Sequence, residues 1–215
     1  MSRHDRATQA PPRDDVEIIE CGVVYDGYVR VQKLALRHAL HAGGWCRVIA
    51  RELVERGDAV AVLPYDPVLD AVALVRQFRI GAWGNGCDPW LVEAVAGIVE
   101  PGESPEDVAR REAVEEAGCT LGRLFRVCAY YASPGVLTET IAVYVGVADL
   151  SSAGGNYGLD HEGEDIEAFV LPWNEAWAQM QEGKFHDHKI AVTLQWLALN
   201  RDWLRRDHGS RGYNR

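Results

Sequence analysis

A group of charged residues near the middle of the chain has the types and spacing of a metal site. Glu112, Glu115 and Glu116 fall within one arc of about 100° on a helical wheel. Arg111 stands at the helical i,i+4 spacing from Glu115. Crowded carboxylates repel one another, and Mg²⁺ is commonly held by one or two of them together with substrate phosphate. The pattern predicts a metal–phosphate site; from geometry alone, an acidic solvent-facing helix side is the alternative.

The helix that carries these side chains has clear ends in the sequence. Ser104 is a good N-cap, Pro105 suits the first helical position, and Asp107 can complete a capping pair. Gly118 is placed to end the helix. A stripe of small side chains, which allows the helix to lie close against a sheet, is formed by Ala109, Ala113 and Ala117.

Strand and helix patterns alternate on both sides of this helix. A hairpin is expected from strands 59–65 and 71–77, joined by a turn at 66–70, and glycines then predict a loop at 81–86. The further expected elements are strands 90–99, 124–131 and 140–147, a mobile polar loop at 151–164, and helices 173–181 and 187–205.

The N-terminal part of the chain predicts strands between residues 16 and 55. A sheet of this size is too thin to be stable alone, so it is expected to pair with the main domain or with a second subunit. The predicted organisation is a disordered N-terminus at 1–14, a β-sheet region at 15–57, the main domain at 58–207 and a disordered C-terminus at 208–215.

Composition limits the class of protein. The 215 residues are 47% hydrophobic and 25% charged, with a formal net charge of −10, which gives no general attraction for nucleic acid or an anionic membrane. Neither a membrane span nor the apolar core of a signal peptide is present. The five cysteines match no zinc or redox motif and predict free thiols in a reducing cytoplasm.

The spacing of Gly97, Glu103, Arg111-Glu112, Glu115-Glu116 and Gly118 resembles the Nudix box at all of its invariant positions. The departures are Ala113 and Cys119, at positions that are usually bulky and aliphatic. The resemblance implies an α/β/α sandwich with a mixed sheet and a bound divalent metal, Mg²⁺ with Mn²⁺ as a substitute. The implied metal ligands are Glu112, Glu116, the carbonyl of Ala96, and Glu164. Glu115 is implied as a supporting carboxylate, Arg111 as the residue that orients the cluster, and Gly97, Gly102, Glu103 and Gly118 as structural residues.

Segments outside the box resemble the ADP-ribose diphosphatase branch of this family, in order along the chain. They include Arg51-Glu52, Gln77-Phe78-Arg79-Ile80, Ser133-Pro134-Gly135 with Glu139, and Glu162 to Asp165. The branch implies a homodimer with domain exchange and Glu162 as the general base, a role that Glu164 can share. The substrate-binding residues implied are Tyr28, Arg51, Arg56, Arg79, Ser133 and Glu139. The alternatives are surface ion pairs for Arg51 and Arg79, a plain strand residue at Tyr28 and a tight turn at Ser133.

The implied activity is Mg²⁺-dependent hydrolysis of ADP-ribose to AMP and ribose 5-phosphate. A different nucleotide sugar such as GDP-mannose is the enzymatic alternative. A sensor domain that binds ADP-ribose without cutting it and a protein-interaction module are the non-enzymatic ones, although a sensor tends to lose box carboxylates that this chain keeps.

Overall fold

The computed structural model describes residues 13–159 and 163–209. Most of the predicted disordered N-terminus, the end of the predicted disordered C-terminus at 210–215, and the candidate base Glu162 lie outside the described residues. Two compact units are present within the described chain, the first running up to Ala59 and including Glu100–Gly102 and Tyr130–Ile141, and the second comprising the remainder.

The first unit contains the N-terminal sheet that the sequence predicts. Its strands β1 (Val16–Asp26), β2 (Arg30–His38) and β3 (Ile49–Glu55) pair antiparallel in the order β1-β2-β3. A turn from the 130–141 segment extends this sheet, since Val54 N–H donates to the Val136 carbonyl at 2.8 Å and Thr138 N–H donates to the Val54 carbonyl at 3.1 Å. A segment from far along the chain therefore completes this unit.

The remaining strands are β4 (Ala59–Asp66), β5 (Ala71–Phe78), β6 (Trp90–Glu93), β7 (Val95–Ile98), β8 (Leu124–Tyr131), β9 (Thr140–Val147), β10 (Gly155–Tyr157) and β11 (Ile166–Pro172). They form one sheet in the order β10-β11-β5-β4-β9-β8, with β6 paired to β5 and β7 paired to β4. The helices of the described chain are α1 (Ile80–Gly84), α2 (Pro105–Ala117), α3 (Trp173–Gln181) and α4 (His188–Gly209).

Alternation along β4 and β5 directs successive side chains to opposite faces of the sheet. One face buries Val60, Val62, Ala73 and Val75 together with the alanine stripe of α2. The other face buries Leu63, Tyr65, Val72 and Leu74 together with Ile190, Leu194 and Leu197 of α4. The sheet of the second unit therefore lies between two helical layers, and the predicted α/β class with a small N-terminal antiparallel sheet is confirmed.

Several local predictions were wrong. Residues 80–84 form helix α1 where glycines predicted only a loop, and strand β10 lies within the predicted loop at 151–164. The single strand expected at 90–99 is broken at Ala94, where the chain leaves β5 and joins β4. The sequence predicts that α4 ends at residue 205, but the helix continues to Gly209.

Other observations concern the cysteines and the helices. All five cysteines carry free thiols, as the odd count and spacing predicted. In the described ranges, no helix is both long enough and apolar enough to cross a bilayer.

Candidate functional site

Helix α2 begins and ends where the sequence predicts. The Ser104 hydroxyl accepts a hydrogen bond from Asp107 N–H at 3.1 Å and donates one to the Asp107 carboxylate at 2.7 Å. Gly118 caps the C-terminus in the left-handed conformation, with φ of 62°. A Cβ added at Gly118 would lie 2.0 Å from the hydroxyl oxygen of Tyr157, so both the backbone angle and the packing require glycine.

Glu116 is the most deeply buried carboxylate of the cluster, with a relative exposure of 4%. Its Oε2 accepts a hydrogen bond from Ala96 N–H at 3.0 Å. The bond joins α2 to β7 and holds the carboxylate beside the backbone of Ala96. The structure thus brings together two of the residues predicted to bind metal.

Glu112 lies one helical turn before Glu116 and faces the same strand. An added Cβ at Gly97 would stand 1.9 Å from its Oε1, closer than two such atoms can approach. Glycine at position 97 therefore makes room for the Glu112 carboxylate over β7.

Arg111 holds the other carboxylates of the box. Its Nη1 donates to Glu112 Oε1 and to Glu115 Oε2, each at 2.9 Å. Its Nε lies 3.7 Å from Glu103 Oε1, which makes a longer ion pair. This guanidinium therefore contacts three of the carboxylates.

The electrostatics of the cluster favour a bound cation. Burial is the main cause that raises the pKa of Glu116 to about 8, and the charges of Glu112 and Glu164 raise it against the hydrogen bond from Ala96. Burial also leads in raising the pKa of Glu112 to about 7, against the lowering effect of Arg111. Negative charge held away from water near other negative charge is stabilised by a divalent cation.

The donor set fits a hard metal ion. Carboxylate and carbonyl oxygens are the ligands that Mg²⁺ prefers, and it usually keeps several waters or takes substrate oxygens as well. Across residues 13–159 and 163–209, no group of three or more Asp, Glu, His or Cys side chains is arranged so that it could hold a metal ion.

Glu164 lies close enough to act electrostatically on both Glu112 and Glu116. Its Oε2 accepts a hydrogen bond from Leu159 N–H at 3.3 Å, and its own N–H donates to the Leu159 carbonyl at 3.4 Å. An added Cβ at Gly158 would lie 2.8 Å from the Glu164 carbonyl oxygen. The ends of the segment that contains Glu162 are therefore held together, with Glu164 near the cluster.

Arg79, which is predicted to meet substrate, forms a two-bond ion pair with Glu93. Its Nε and Nη2 donate to the two carboxylate oxygens at 2.9 and 2.8 Å. Lys189 Nζ lies 3.5 Å from the same carboxylate and 3.0 Å from Asp187 Oδ1. Sequence reasoning missed Glu93, Asp187 and Lys189, although an aspartate just before a helix is a recognisable N-cap signal.

In the first unit, three of the predicted substrate-binding residues form one cluster. Arg56 Nη1 donates to the buried Glu139 carboxylate at 3.3 Å, and its Nη2 donates to the Tyr28 hydroxyl at 3.4 Å. The guanidinium carbon lies 5.8 Å from the centre of the Tyr28 ring, which is 74% exposed. The structure leaves a broad aromatic face available on this unit.

The other two predicted substrate residues of this unit, Arg51 and Ser133, make hydrogen bonds of their own. Arg51 is exposed on β3 and donates to the Ala50 carbonyl at 2.8 Å. The Ser133 carbonyl accepts hydrogen bonds from Val136 and Leu137 N–H at 3.1 and 2.8 Å. These bonds close a tight turn, the alternative predicted for this position.

With the fold and the carboxylate cluster established, comparison with known proteins defines the class. The model of the NUDIX domain matches residues 55–194. The chain therefore belongs to the Nudix family. The match covers the hairpin, the α2 cluster and the beginning of α4.

Similar proteins cover almost the whole chain. The chain is 42% identical over 195 residues to an ADP-ribose pyrophosphatase of Escherichia coli, covering 91% of this chain and 93% of that protein. It is 41% identical over 191 residues to an ADP-ribose pyrophosphatase of Haemophilus influenzae, covering 87% and 88%. A GDP-mannose pyrophosphatase of Pectobacterium atrosepticum is 36% identical over 190 residues, covering 88% and 96%. The crystal structure of an ADP compounds hydrolase shares the fold with a TM-score of 0.65 at 19% identity, covering 88% and 97%.

Proposed function

We propose that this chain is a Mg²⁺-dependent hydrolase that cuts the diphosphate of ADP-ribose to AMP and ribose 5-phosphate. The observation that carries the proposal is 42% identity, over 91% of the chain, to an ADP-ribose pyrophosphatase. The buried carboxylates beside Ala96 support it, because cleavage of a diphosphate requires its negative charge to be neutralised.

The residues proposed to hold the metal are Glu112, Glu116, the Ala96 carbonyl and Glu164, with Mn²⁺ able to replace Mg²⁺. The bound ion supplies charge neutralisation for the diphosphate and polarises the phosphorus. Ala96 N–H holds one oxygen of Glu116 at 3.0 Å, which leaves the other oxygen for a ligand bond. Arg111 donates hydrogen bonds to both Glu112 and Glu115, which holds the two carboxylates near each other.

Glu162 is proposed as the general base that takes a proton from the attacking water. Glu164 is the alternative candidate for the base, because its charge acts on both Glu112 and Glu116. Its hydrogen bond from Leu159 N–H orients the carboxylate and favours a fixed ligand over a proton carrier. We therefore assign the base to Glu162 and the ligand role to Glu164, with Glu115 as a supporting carboxylate.

The adenine end of the substrate is proposed to meet residues of the first unit. Tyr28 offers an exposed ring for stacking, and Arg56 lies against it while paired with Glu139. Arg51 and Ser133 are proposed as polar contacts, both from exposed positions. Arg79 is a weaker candidate for a substrate contact, because its Nε and Nη2 already donate hydrogen bonds to Glu93.

A second copy of this chain is proposed as the partner. Strand β1 exposes a run of apolar side chains that a monomer leaves in water, with Ile19, Val24 and Tyr25 each more than half exposed. Burial of such a surface in a symmetric interface is the usual way it is stabilised. Light scattering at assay concentration tests this proposal: a dimer is expected and a monomer contradicts it. The five free thiols support the cytoplasm as the proposed compartment.

GDP-mannose is the second candidate substrate, because a GDP-mannose pyrophosphatase is 36% identical to this chain. Rates on ADP-ribose, GDP-mannose, ADP-glucose and NADH, measured at equal concentration with Mg²⁺, separate the two. ADP-ribose is expected to be cut fastest. A faster rate on GDP-mannose keeps the diphosphatase chemistry and overturns the substrate.

A further inference from the structure

The polypeptide leaves one neighbouring strand and joins another just before Ala96, one of the residues proposed to bind metal. Strand β6 pairs with β5 and ends at Glu93, whereas β7 pairs with β4 and begins at Val95. Ala94 lies between them with no exposed surface. A buried N–H at such a break needs an acceptor outside the strand ladder, because leaving it without a hydrogen bond destabilises the fold.

Asp187 supplies that acceptor. Its Oδ2 accepts from Ala94 N–H at 3.0 Å, and the residue is only 6% exposed. Its Oδ1 accepts from Lys189 N–H at 3.0 Å, which caps the first turn of α4. One carboxylate thus joins the strand change at Ala94 to the start of a helix 93 positions later in the chain.

Two cations complete this buried group. Lys189 Nζ lies between Asp187 and Glu93, at 3.0 and 3.5 Å from their oxygens. Arg79 pairs with Glu93 from the other side and also acts electrostatically on Glu116. Two positive and two negative side chains therefore balance one another around Glu93 and Ala94. Removing one charge from such a group leaves its partner unpaired, so the group holds its arrangement firmly.

The strand change sets the position of Ala96, two residues further on. Ala96 N–H holds Glu116, and its carbonyl is a proposed metal ligand. Ala94 and Ala96 are only two residues apart, so a displacement of the backbone at Ala94 is expected to move both groups.

We propose that Asp187 is a positioning residue of the metal site, which acts by fixing the strand change at Ala94 and, through it, the N–H and carbonyl of Ala96. The inference rests on the proposed metal-dependent function. It assigns to the C-terminal helix a part in metal binding, beyond its packing on the sheet. Partners that orient metal ligands typically change affinity by about 10–100-fold when they are removed.

The alternative is that Asp187 only caps helix α4. A pair of substitutions distinguishes this role from the positioning of Ala96. Asp187→Ser keeps a side chain that caps α4 but is too short to reach Ala94 N–H. Asp187→Asn retains an oxygen of the original length for Ala94. Arg201→Met is the matched control, since Arg201 anchors the same helix by its ion pair with Asp70 and has no part in the Asp187 group.

Mn²⁺ binding is measured by electron paramagnetic resonance on the full chain without substrate, beside thermal unfolding of each variant. Asp187→Ser is expected to weaken Mn²⁺ binding about tenfold or more. Asp187→Asn should recover most of the affinity, and Arg201→Met should lower Tm with Mn²⁺ binding unchanged. Wild-type affinity in Asp187→Ser, or equal weakening in Arg201→Met, overturns the proposal.

If Asp187→Ser does not fold, Lys189→Met is measured in its place. This substitution removes the link between Asp187 and Glu93. Weaker Mn²⁺ binding than wild type then supports the proposal, and unchanged binding overturns it. In hydrolysis assays, excess Mg²⁺ should restore kcat of Asp187→Ser while KM for ADP-ribose stays at the wild-type value. Failure of wild-type protein to cut ADP-ribose would overturn the proposed function, whereas the Mn²⁺ comparison between variants judges Asp187 separately.

Discussion

Gly97 lies directly under the Glu112 carboxylate, so closely that an added Cβ would stand 1.9 Å from Oε1. The same Cβ would meet Cδ at 2.3 Å and Cγ at 2.5 Å, so the whole end of the side chain occupies the space. A side chain at position 97 would therefore displace the Glu112 carboxylate. A structural residue of β7 thereby determines where a proposed metal ligand lies.

Gly97→Ala is expected to displace Glu112 and raise the Mg²⁺ concentration for half-maximal activity by about tenfold, the lower end for a disturbed ligand partner. Activity as a function of Mg²⁺ concentration measures the effect. Gly81→Ala is the matched control, because an added Cβ there has no atom within 4 Å. An unchanged Mg²⁺ requirement in Gly97→Ala would show that the position of Glu112 is unimportant for metal binding.

Glu116→Gln is expected to lower kcat by about a hundredfold or more, because a neutral amide is a poor ligand for a hard cation. The variant should be at least as stable as wild type without metal, since burial and like charges disfavour the ionised Glu116. Mg²⁺ should raise Tm of the wild type and leave that of the variant unchanged. An equal Mg²⁺ shift in both proteins removes Glu116 from the ligand set.

Glu162→Gln and Glu164→Gln distinguish the base from the ligand. Glu162→Gln should lower kcat by about a hundredfold or more with Mn²⁺ binding intact, because a base is needed only for proton transfer. Glu164→Gln should weaken Mn²⁺ binding as well, since its charge acts on Glu112 and Glu116. Near wild-type turnover by purified Glu162→Gln would refute its assignment as the base.

The Asp70 carboxylate is expected to make a contribution to the free energy of unfolding that depends on pH. Its carboxylate accepts hydrogen bonds from Tyr65 and Arg201, and Arg205 lies 3.1 Å from it. Burial raises the pKa of this carboxyl, but the hydrogen bonds from Arg201 and Tyr65 lower it by more, so its pKa falls below the ordinary 3.8. A lowered pKa means that the stabilisation is present at neutral pH and is lost as the pH falls through the folded-state value.

Asp70→Asn should therefore lower the free energy of unfolding by about 1.5–3 kcal/mol at pH 7, the range for hydrogen bonds to a charged group. Asparagine tolerates the left-handed φ of 56° at this position, so backbone strain is not added. The difference from wild type should close as the pH falls below 3.8. Urea unfolding at several pH values measures it, with the exposed Asp14→Asn as control. A difference that is constant from pH 7 to low pH contradicts this account.

Local patterns predicted the parts of the site that depend on neighbours in sequence. Ser104 and Gly118 bound α2 as their types indicated, and the i,i+4 pair of Arg111 and Glu115 is present. Such features follow from helix geometry, which a short window of sequence contains.

The features that were missed depend on distant partners. The strand break at Ala94 is held by Asp187, and Arg79 is held by Glu93, so no local alternation of apolar residues indicates either one. Helix α1 forms despite Gly81 and Gly84, with Asn85 N–H donating to the Gly81 carbonyl at 3.2 Å. Glycine costs about 1 kcal/mol in a helix interior, a preference that the surrounding structure can override.

Incubation of the purified chain with ADP-ribose and Mg²⁺, followed by chromatographic identification of the products, is the most direct measurement. Equal amounts of AMP and ribose 5-phosphate are expected, with no reaction when EDTA removes the metal. ADP-ribose left intact under conditions in which another nucleotide sugar is cut would contradict the proposed substrate. Intact ADP-ribose with no diphosphate cut at all would contradict the hydrolase itself.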